Sequence, residues 1–225
     1  LLSAGLAALI QLLAVNDIKQ SAQNIHVETM AQSTESLLAI RFDYTRRQLE
    51  SLAKDEQLLD IISSGDEERI TRLAKLLLSS FNDSIALQII PWDYTATVGL
   101  RDRGIEMRNS IETLMLTRAG GGRIPEPEVY QHEKKWLISF AQPIMIGSEV
   151  KAIVLLTYNE KFFAGIVNNE FYRNNASISI KHKGGSSQTL ASNNSTAVSR
   201  TITHDLPFAD GQLSIASARD VSNIT

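Results

Sequence analysis

The chain has 225 residues, of which 43% are hydrophobic and 21% charged, so it can bury one large core or two small ones. Its formal net charge of -3 leaves no excess of Lys or Arg to neutralise phosphates, and no local basic patch compensates, which argues against nucleic-acid binding. The absence of cysteine excludes thiolate metal ligands, disulfide bonds and cysteine nucleophiles.

The first residues of the chain are apolar. Residues 1–15 (LLSAGLAALIQLLAV) carry no charge and favour a helix, but a membrane-spanning helix needs about 20 apolar residues. Three interpretations fit: the outer end of a transmembrane helix, the core of a signal peptide, or the start of a buried helix. Because the chain begins with Leu inside an apolar run, we expect residues 1–15 to be the end of a membrane anchor.

A long amphipathic helix is predicted over residues 16–62, which contain neither Gly nor Pro. Leu38, Phe42, Leu49 and Leu52 recur at helical spacings and predict a side that packs on a globular domain. Earlier in the helix, a thinner apolar stripe contains Ile18, Ala22 and Ile25. Such a stripe suits a membrane-proximal stalk or a weak two-stranded coiled coil, so a homodimer through this helix is expected.

Residues 63–225 are predicted to form a single α+β domain. Ser64 and Glu67 have the spacing of a capping box, which predicts a second helix over residues 66–80. Further helices are expected at 105–118, ended by the glycines 120–122, and at 159–168. The predicted strands are 84–91, 128–132, 135–145, 150–158, 176–181, 188–191, 197–204 and 212–216. Because strands and helices do not alternate regularly, we expect one antiparallel sheet of five to seven strands with helices on one side.

This order of elements resembles the extracytoplasmic Cache and PAS-like sensor domains of bacterial receptors. A sharper likeness lies in Ile89–Pro91, Gly99–Ile105, Val129–Tyr130 and Trp136–Ile144. These segments look like the N-terminal membrane-associated region of the long form of bacterial phosphomannomutase/phosphoglucomutase. The resemblance implies a non-catalytic sensory or regulatory domain that faces the periplasm from the inner membrane and is attached to a cytoplasmic mutase. The alternatives are a dimerising membrane-anchor or scaffold module and the ligand-binding region of a chemoreceptor or histidine kinase.

No catalytic residue, metal site or cofactor is predicted. The mutase catalytic loop resembles Thr-Ala-Ser-His-Asn-Pro, whereas the nearest segment here, Thr201–Pro207, has no serine in place, and the Asp-x-Asp-x-Asp metal loop of that family is missing. The glycines 120–122 follow a predicted helix instead of opening one, so they form no phosphate loop. The four histidines are isolated from one another in sequence, which does not favour a metal site.

A small anionic ligand is the predicted partner. The candidate binding residues are aromatic or charged and lie in the segment after the first strand and on the predicted hairpin: Trp92, Asp93, Tyr94, Arg101, Arg103, Tyr130 and Trp136. An arginine fork matches a carboxylate or phosphate, and aromatic rings can enclose the apolar part of a ligand. The alternative is structural, because Arg101-Asp102-Arg103 also suits a solvated turn and Trp92 can close the core.

Overall fold

The structure is a computed structural model. It describes residues 2–92, 110–183, 188–193, 195–197, 201–206, 208 and 210–218. The helices within them are α1 (Leu2–Leu52), α2 (Glu56–Ser64), α3 (Glu67–Leu78), α4 (Ser110–Gly120), α5 (Lys161–Val167) and α6 (Glu170–Asn175). The strands are β1 (Ser84–Pro91), β2 (Glu128–His132), β3 (Lys135–Ile146), β4 (Glu149–Asn159), β5 (Ala176–His182), β6 (Gln188–Ser192), β7 (Ile202–Asp205) and β8 (Gly211–Ser217). The predicted α+β class is confirmed.

The long helix ends at Leu52, ten residues before its predicted end at residue 62. Asp55 caps a separate helix there, because its side chain accepts a hydrogen bond of 2.9 Å from the backbone N–H of Leu58. The predicted capping box is also wrong. Asp66, rather than Ser64, caps α3 by accepting from the N–H of Arg69, while the Ser64 hydroxyl donates back to the carbonyl of Ile61.

The first sheet has the strand order β1-β4-β3-β2, and all of its pairings are antiparallel. Neighbouring residues of a strand point to opposite faces. On one face, Phe140 of β3 contacts the ring of Phe42 on α1, with 5.6 Å between the ring centroids. On the other face, Ala141 belongs to a buried cluster with residues of α4. Helices therefore cover both faces of this sheet, which is a broader arrangement than the predicted one-sided layer.

The second sheet has the order β6-β5-β8-β7 and is also antiparallel. The strands thus form two sheets of four rather than the single predicted sheet of five to seven strands. The physical reason is that α5 and α6 separate β4 from β5, after which β5 to β8 pair with one another. The predicted strand at 197–204 corresponds to β7, which begins only at Ile202, and α6 was not predicted.

Packing divides the chain into two compact units. The first-sheet unit contains Ala39–Phe162 and Pro207–Ala209, and the second-sheet unit contains Leu1–Leu38, Phe163–Leu206 and Asp210–Thr225. The single domain over residues 63–225 stays a prediction. Within the described residues, no helix combines the length and hydropathy needed to cross a membrane.

Candidate ligand-binding site

The candidate site lies where α4 covers the first sheet. Met115, Leu116 and Ala119 of α4 are buried and pack in one apolar cluster with residues of β1, β3 and β4. These helix positions recur at three and four residues, which puts them on one side of α4. The same side also contains Glu112, three residues before Met115, and Glu112 is only 2% exposed. A carboxylate therefore sits on the otherwise apolar face of the helix.

Glu112 is part of a buried polar cluster formed with Tyr130, Ser139 and Thr157. The three hydroxyl-bearing residues lie on one face of the sheet, since Ser139 is paired with Thr157 and Tyr130 is paired with the residue two positions before Ser139. None of them is more than 3% exposed. The cluster thus connects α4 with three adjacent strands.

The hydrogen bonds in the polar cluster have a fixed direction. The Tyr130 hydroxyl donates to Oε1 of Glu112, which uses its single hydrogen. Ser139 must therefore donate across the 2.9 Å contact to Tyr130, and Thr157 must donate across the 3.0 Å contact to Ser139. The hydroxyl dipoles all point toward the carboxylate. Such chains of hydrogen bonds strengthen one another in a low-dielectric interior.

Burial of a carboxylate is costly unless hydrogen bonds compensate it. Glu112 is the one Asp, Glu, Lys or Arg that is buried among the described residues, so its placement is exceptional for this chain. The arrangement can do two things chemically. It can fix the position of α4 on the sheet, and its carboxylate has the charge that attracts a cationic group such as an ammonium. Among the described residues, no cluster of His, Asp or Glu suits a metal ion.

Trp92 lies at the opposite end of α4 from Glu112. Its indole packs directly on Gly120, where a Cβ atom would be 2.0 Å from Cζ2 of the ring. The side chain is 8% exposed, and its Nε1 atom has no hydrogen-bond partner among the described residues. Glu112 and Gly120 are eight residues apart, or about 12 Å along a helix. Trp92 therefore packs in the apolar core and is not next to the polar cluster.

The other predicted site residues that the structure describes do not lie together. Tyr130 belongs to the polar cluster. Trp136 pairs with Gln131, the neighbour of Tyr130 in β2, so the two aromatic side chains lie on opposite faces of the sheet. Asp93, Tyr94, Arg101 and Arg103 lie outside the described residues. The structure therefore does not bring Trp92, Tyr130 and Trp136 together.

Sequence analysis missed Glu112, Ser139 and Thr157. In the helix predicted over residues 105–118, Leu114 is 45% exposed, whereas Glu112 is buried. The signal was present, because Glu112, Met115, Leu116 and Ala119 have the spacing of one helix face.

Comparison with solved structures identifies the architecture. The sensory domain of the Campylobacter jejuni chemoreceptor Tlp3 with isoleucine bound superposes with a TM-score of 0.54 at 10% identity, covering 94% of this chain and 97% of that chain. Its complex with L-valine gives 0.54 at 11% identity, with the same coverage. A domain of a sensory box/GGDEF family protein from Vibrio parahaemolyticus gives 0.51 at 10% identity, covering 90% and 96%.

The chain has the fold of bacterial sensory domains. The expected sensor-like architecture is therefore confirmed. No family model matches the sequence. No curated protein matches it either, so the resemblance to the mutase region gains no support from these comparisons.

Proposed function

We propose that this chain is the sensory domain of a membrane-anchored bacterial receptor, and that it binds a small ligand on the α4 face of the first sheet. The observation that supports this most strongly is the buried carboxylate of Glu112, which lies between α4 and the sheet in a fold used by ligand-binding sensory domains. An apolar side chain at this position would pack against the sheet without desolvating a charge.

The ligand class follows from the charges available. Isoleucine and L-valine, the ligands in the two Tlp3 complexes, each carry an ammonium and a carboxylate. In this chain, the Glu112 carboxylate is suited to the ammonium, and we propose Arg101 or Arg103, as predicted from the sequence, for the ligand carboxylate. The predicted small anionic ligand is thus refined to a zwitterionic amino acid or a close analogue.

Binding at Glu112 requires movement. Because Glu112 is only 2% exposed, an ammonium reaches it only when the N-terminal end of α4 separates from β2 and β3. A ligand changes the conformation of a protein only if it binds one arrangement better than another. Displacement of α4 by the ligand provides that difference, and it links occupancy of the site to a change in the first-sheet unit.

A thermal-shift screen with the L-amino acids tests this proposal. A ligand at 100 times its Kd stabilises the folded state by about 2.7 kcal/mol. For a chain of this size, that corresponds to a rise in Tm of about 5–10 °C. Glu112→Gln and Arg101→Ala should remove the rise, whereas Tyr172→Phe, in the second-sheet unit, should retain it. A flat response of the wild type to every amino acid would contradict the proposal.

A dimeric stalk is a second candidate role, and one observation favours it. Large apolar side chains that are 49% to 68% exposed form a stripe along α1, which includes Val15, Ile18, Ile25 and Ile40. They fall within about 100° of one another around the helix. Burial of apolar surface drives association, so we propose that two copies of the chain pair through this stripe.

Sedimentation velocity tests the stalk. We expect a wild-type dimer and a monomer when Ile18→Glu and Ile25→Glu are combined. Asn24→Glu is the matched control, because Asn24 is an exposed residue of the same helix but lies about 100° away from Ile25. A monomeric wild type, or a double variant that remains dimeric, would contradict pairing through the stripe.

The membrane placement and the output domain complete the proposal. We place the domain in the periplasm, with the apolar residues 1–15 belonging to an inner-membrane anchor, and a cytoplasmic phosphomannomutase/phosphoglucomutase as the output. The support for the mutase is the sequence likeness alone, at Ile89–Pro91, Gly99–Ile105, Val129–Tyr130 and Trp136–Ile144.

Protease treatment of spheroplasts tests the placement, because a periplasmic domain is cleaved before the cells are lysed. Co-purification of mutase activity with the full-length protein tests whether a mutase is the attached cytoplasmic domain. A receptor or kinase module in place of the mutase would contradict that part of the proposal.

A further inference from the structure

A polar cleft opens on the face of the first sheet opposite α4. It has a volume of about 350 Å³ and lies between α1, the α3–β1 connection and the end of β4. Arg41, Tyr44, Thr45 and Gln48 supply one wall, at helix spacings of three, four and seven residues from Arg41. These are spacings at which a helix normally presents apolar core residues. All the side chains that line the cleft carry a hydrogen-bonding group.

The groups in the cleft are held in place. The Arg41 guanidinium forms an ion pair of 3.2 Å with Asp83 and lies 4.6 Å from the centroid of the Phe162 ring. Asp83 has a left-handed backbone with φ of 64°, a conformation that Asp tolerates better than most residues. Gln48 donates its amide to the hydroxyl of Tyr44 over 3.1 Å. Preorganised polar groups of this kind are typical of binding sites.

Tyr158 supplies a phenol hydroxyl on the floor of the cleft. The neighbouring Thr45 uses its own hydroxyl hydrogen to donate to the carbonyl of Arg41 over 3.0 Å. Burial raises the pKa of Tyr158, which keeps this phenol protonated. The hydroxyl oxygen of Tyr158 remains able to accept a hydrogen bond.

The charge of the cleft selects the ligand class. Arg41 and Asp83 neutralise each other, and the remaining lining residues are Ser, Thr, Tyr, Asn and Gln, which are neutral at physiological pH. A cation or an anion therefore gains no net attraction. A ligand with several hydroxyls, each of which donates and accepts, matches the mixture of amides, hydroxyls and one ion pair. Tyr44 is 60% exposed at the cleft and offers a ring face to the C–H side of a sugar.

We propose that this cleft is a second binding site, and that it takes a neutral monosaccharide or polyol. The site is separate from the Glu112 cluster because it lies on the other face of the sheet. It joins α1 to the α3–β1 connection, so its occupancy stabilises the packing of α1 on the sheet. The domain then responds to two chemically different ligands.

Calorimetric titration of the intact chain with methyl α-D-glucopyranoside and with sorbitol tests the proposal. D-glucuronate and D-glucosamine are the charged comparisons. We expect at least one neutral probe to bind, and both charged probes to bind about tenfold more weakly or not at all. Gln48→Ala should weaken binding about tenfold, because an amide that contacts the ligand is removed. Gln32→Ala, an exposed glutamine elsewhere on α1, is the matched control and should leave the affinity unchanged.

Tyr44→Ala is the second variant, since removing an exposed ring does not disturb the core, and it should also weaken binding. Failure of both neutral probes to bind would overturn the proposal, as would unchanged affinity in both Gln48→Ala and Tyr44→Ala. Glu112→Gln should leave sugar binding intact. This last result separates the second site from the proposed amino-acid site, so either can fail without the other.

Discussion

The two sheets of this protein differ in how completely they are covered. In the first sheet, β3 contains eight consecutive buried residues and β4 contains seven, which is the pattern of strands covered on both faces. In the second sheet, β8 has a shorter run of five consecutive buried residues, β5 alternates between buried and half-buried residues over most of its length, and β7 has no buried residue. The first sheet is the more completely covered of the two, and the helix that covers it carries the buried carboxylate of Glu112. The proposed ligand site therefore lies on the first sheet.

Polar contacts in the second-sheet unit are of a different kind. The imidazole of His204, on β7, lies 3.5 Å from Glu28 and 3.8 Å from Glu35, both of which are on α1. Both carboxylates are nearly half exposed, so this arrangement is a surface contact with a modest contribution to stability. The contrast with Glu112 shows that burial, rather than the presence of charge, distinguishes the candidate site.

The largest effect is expected from Gly120→Ala in the first-sheet unit. The new Cβ atom would overlap the rigid indole of Trp92, so we expect the free energy of unfolding to fall by about 3 kcal/mol. Gly121→Ala is the matched control, because its Cβ atom would make its nearest contact at 3.4 Å. Urea unfolding measures both variants. Equal stabilities of the two variants would show that Trp92 is not fixed against α4.

A smaller effect is expected from removing one hydroxyl in each unit. Tyr130→Phe takes a donor from the buried carboxylate of Glu112, which should cost about 1–3 kcal/mol. Tyr172→Phe removes the same atom in the second-sheet unit, where its partner at 3.0 Å is the hydroxyl of the exposed residue Ser33. Ser33 can bind water instead, so the expected cost is only about 0.5–1.5 kcal/mol. A larger loss in Tyr172→Phe would reverse the comparison between the units.

The smallest effect concerns alkaline pH. Because burial raises the pKa of Tyr158, the folded state holds this proton more tightly than the unfolded chain does. The resulting stabilisation is complete below about pH 10, the ordinary tyrosine pKa, and is lost as the pH rises through the higher folded value. Urea unfolding of the wild type and Tyr158→Phe across this range tests the prediction. A stability that falls equally in both proteins would show that Tyr158 does not contribute.

Local patterns predicted much of the fold. β1 and the β2–β3 hairpin were predicted closely, because short β-branched runs between turn residues are local signals. The end of α1 was missed because residues 16–62 contain no Gly or Pro that would signal a break. The chain breaks there because Asp55 caps a new helix, α2. The number of sheets was missed because strand pairing joins residues far apart in sequence. The polar cluster was missed for the same reason, since Glu112 and Tyr130 are 18 residues apart.

The most direct test of the account is hydrogen–deuterium exchange, measured with and without the amino acid that gives the largest thermal shift. We predict slower exchange in α4 and in β2 to β4 when the ligand is bound, and little change in β5 to β8. Exchange reports local opening, so it distinguishes the two sheets within one experiment. Protection confined to β5 to β8, or no protection in α4, would contradict ligand recognition by the first sheet.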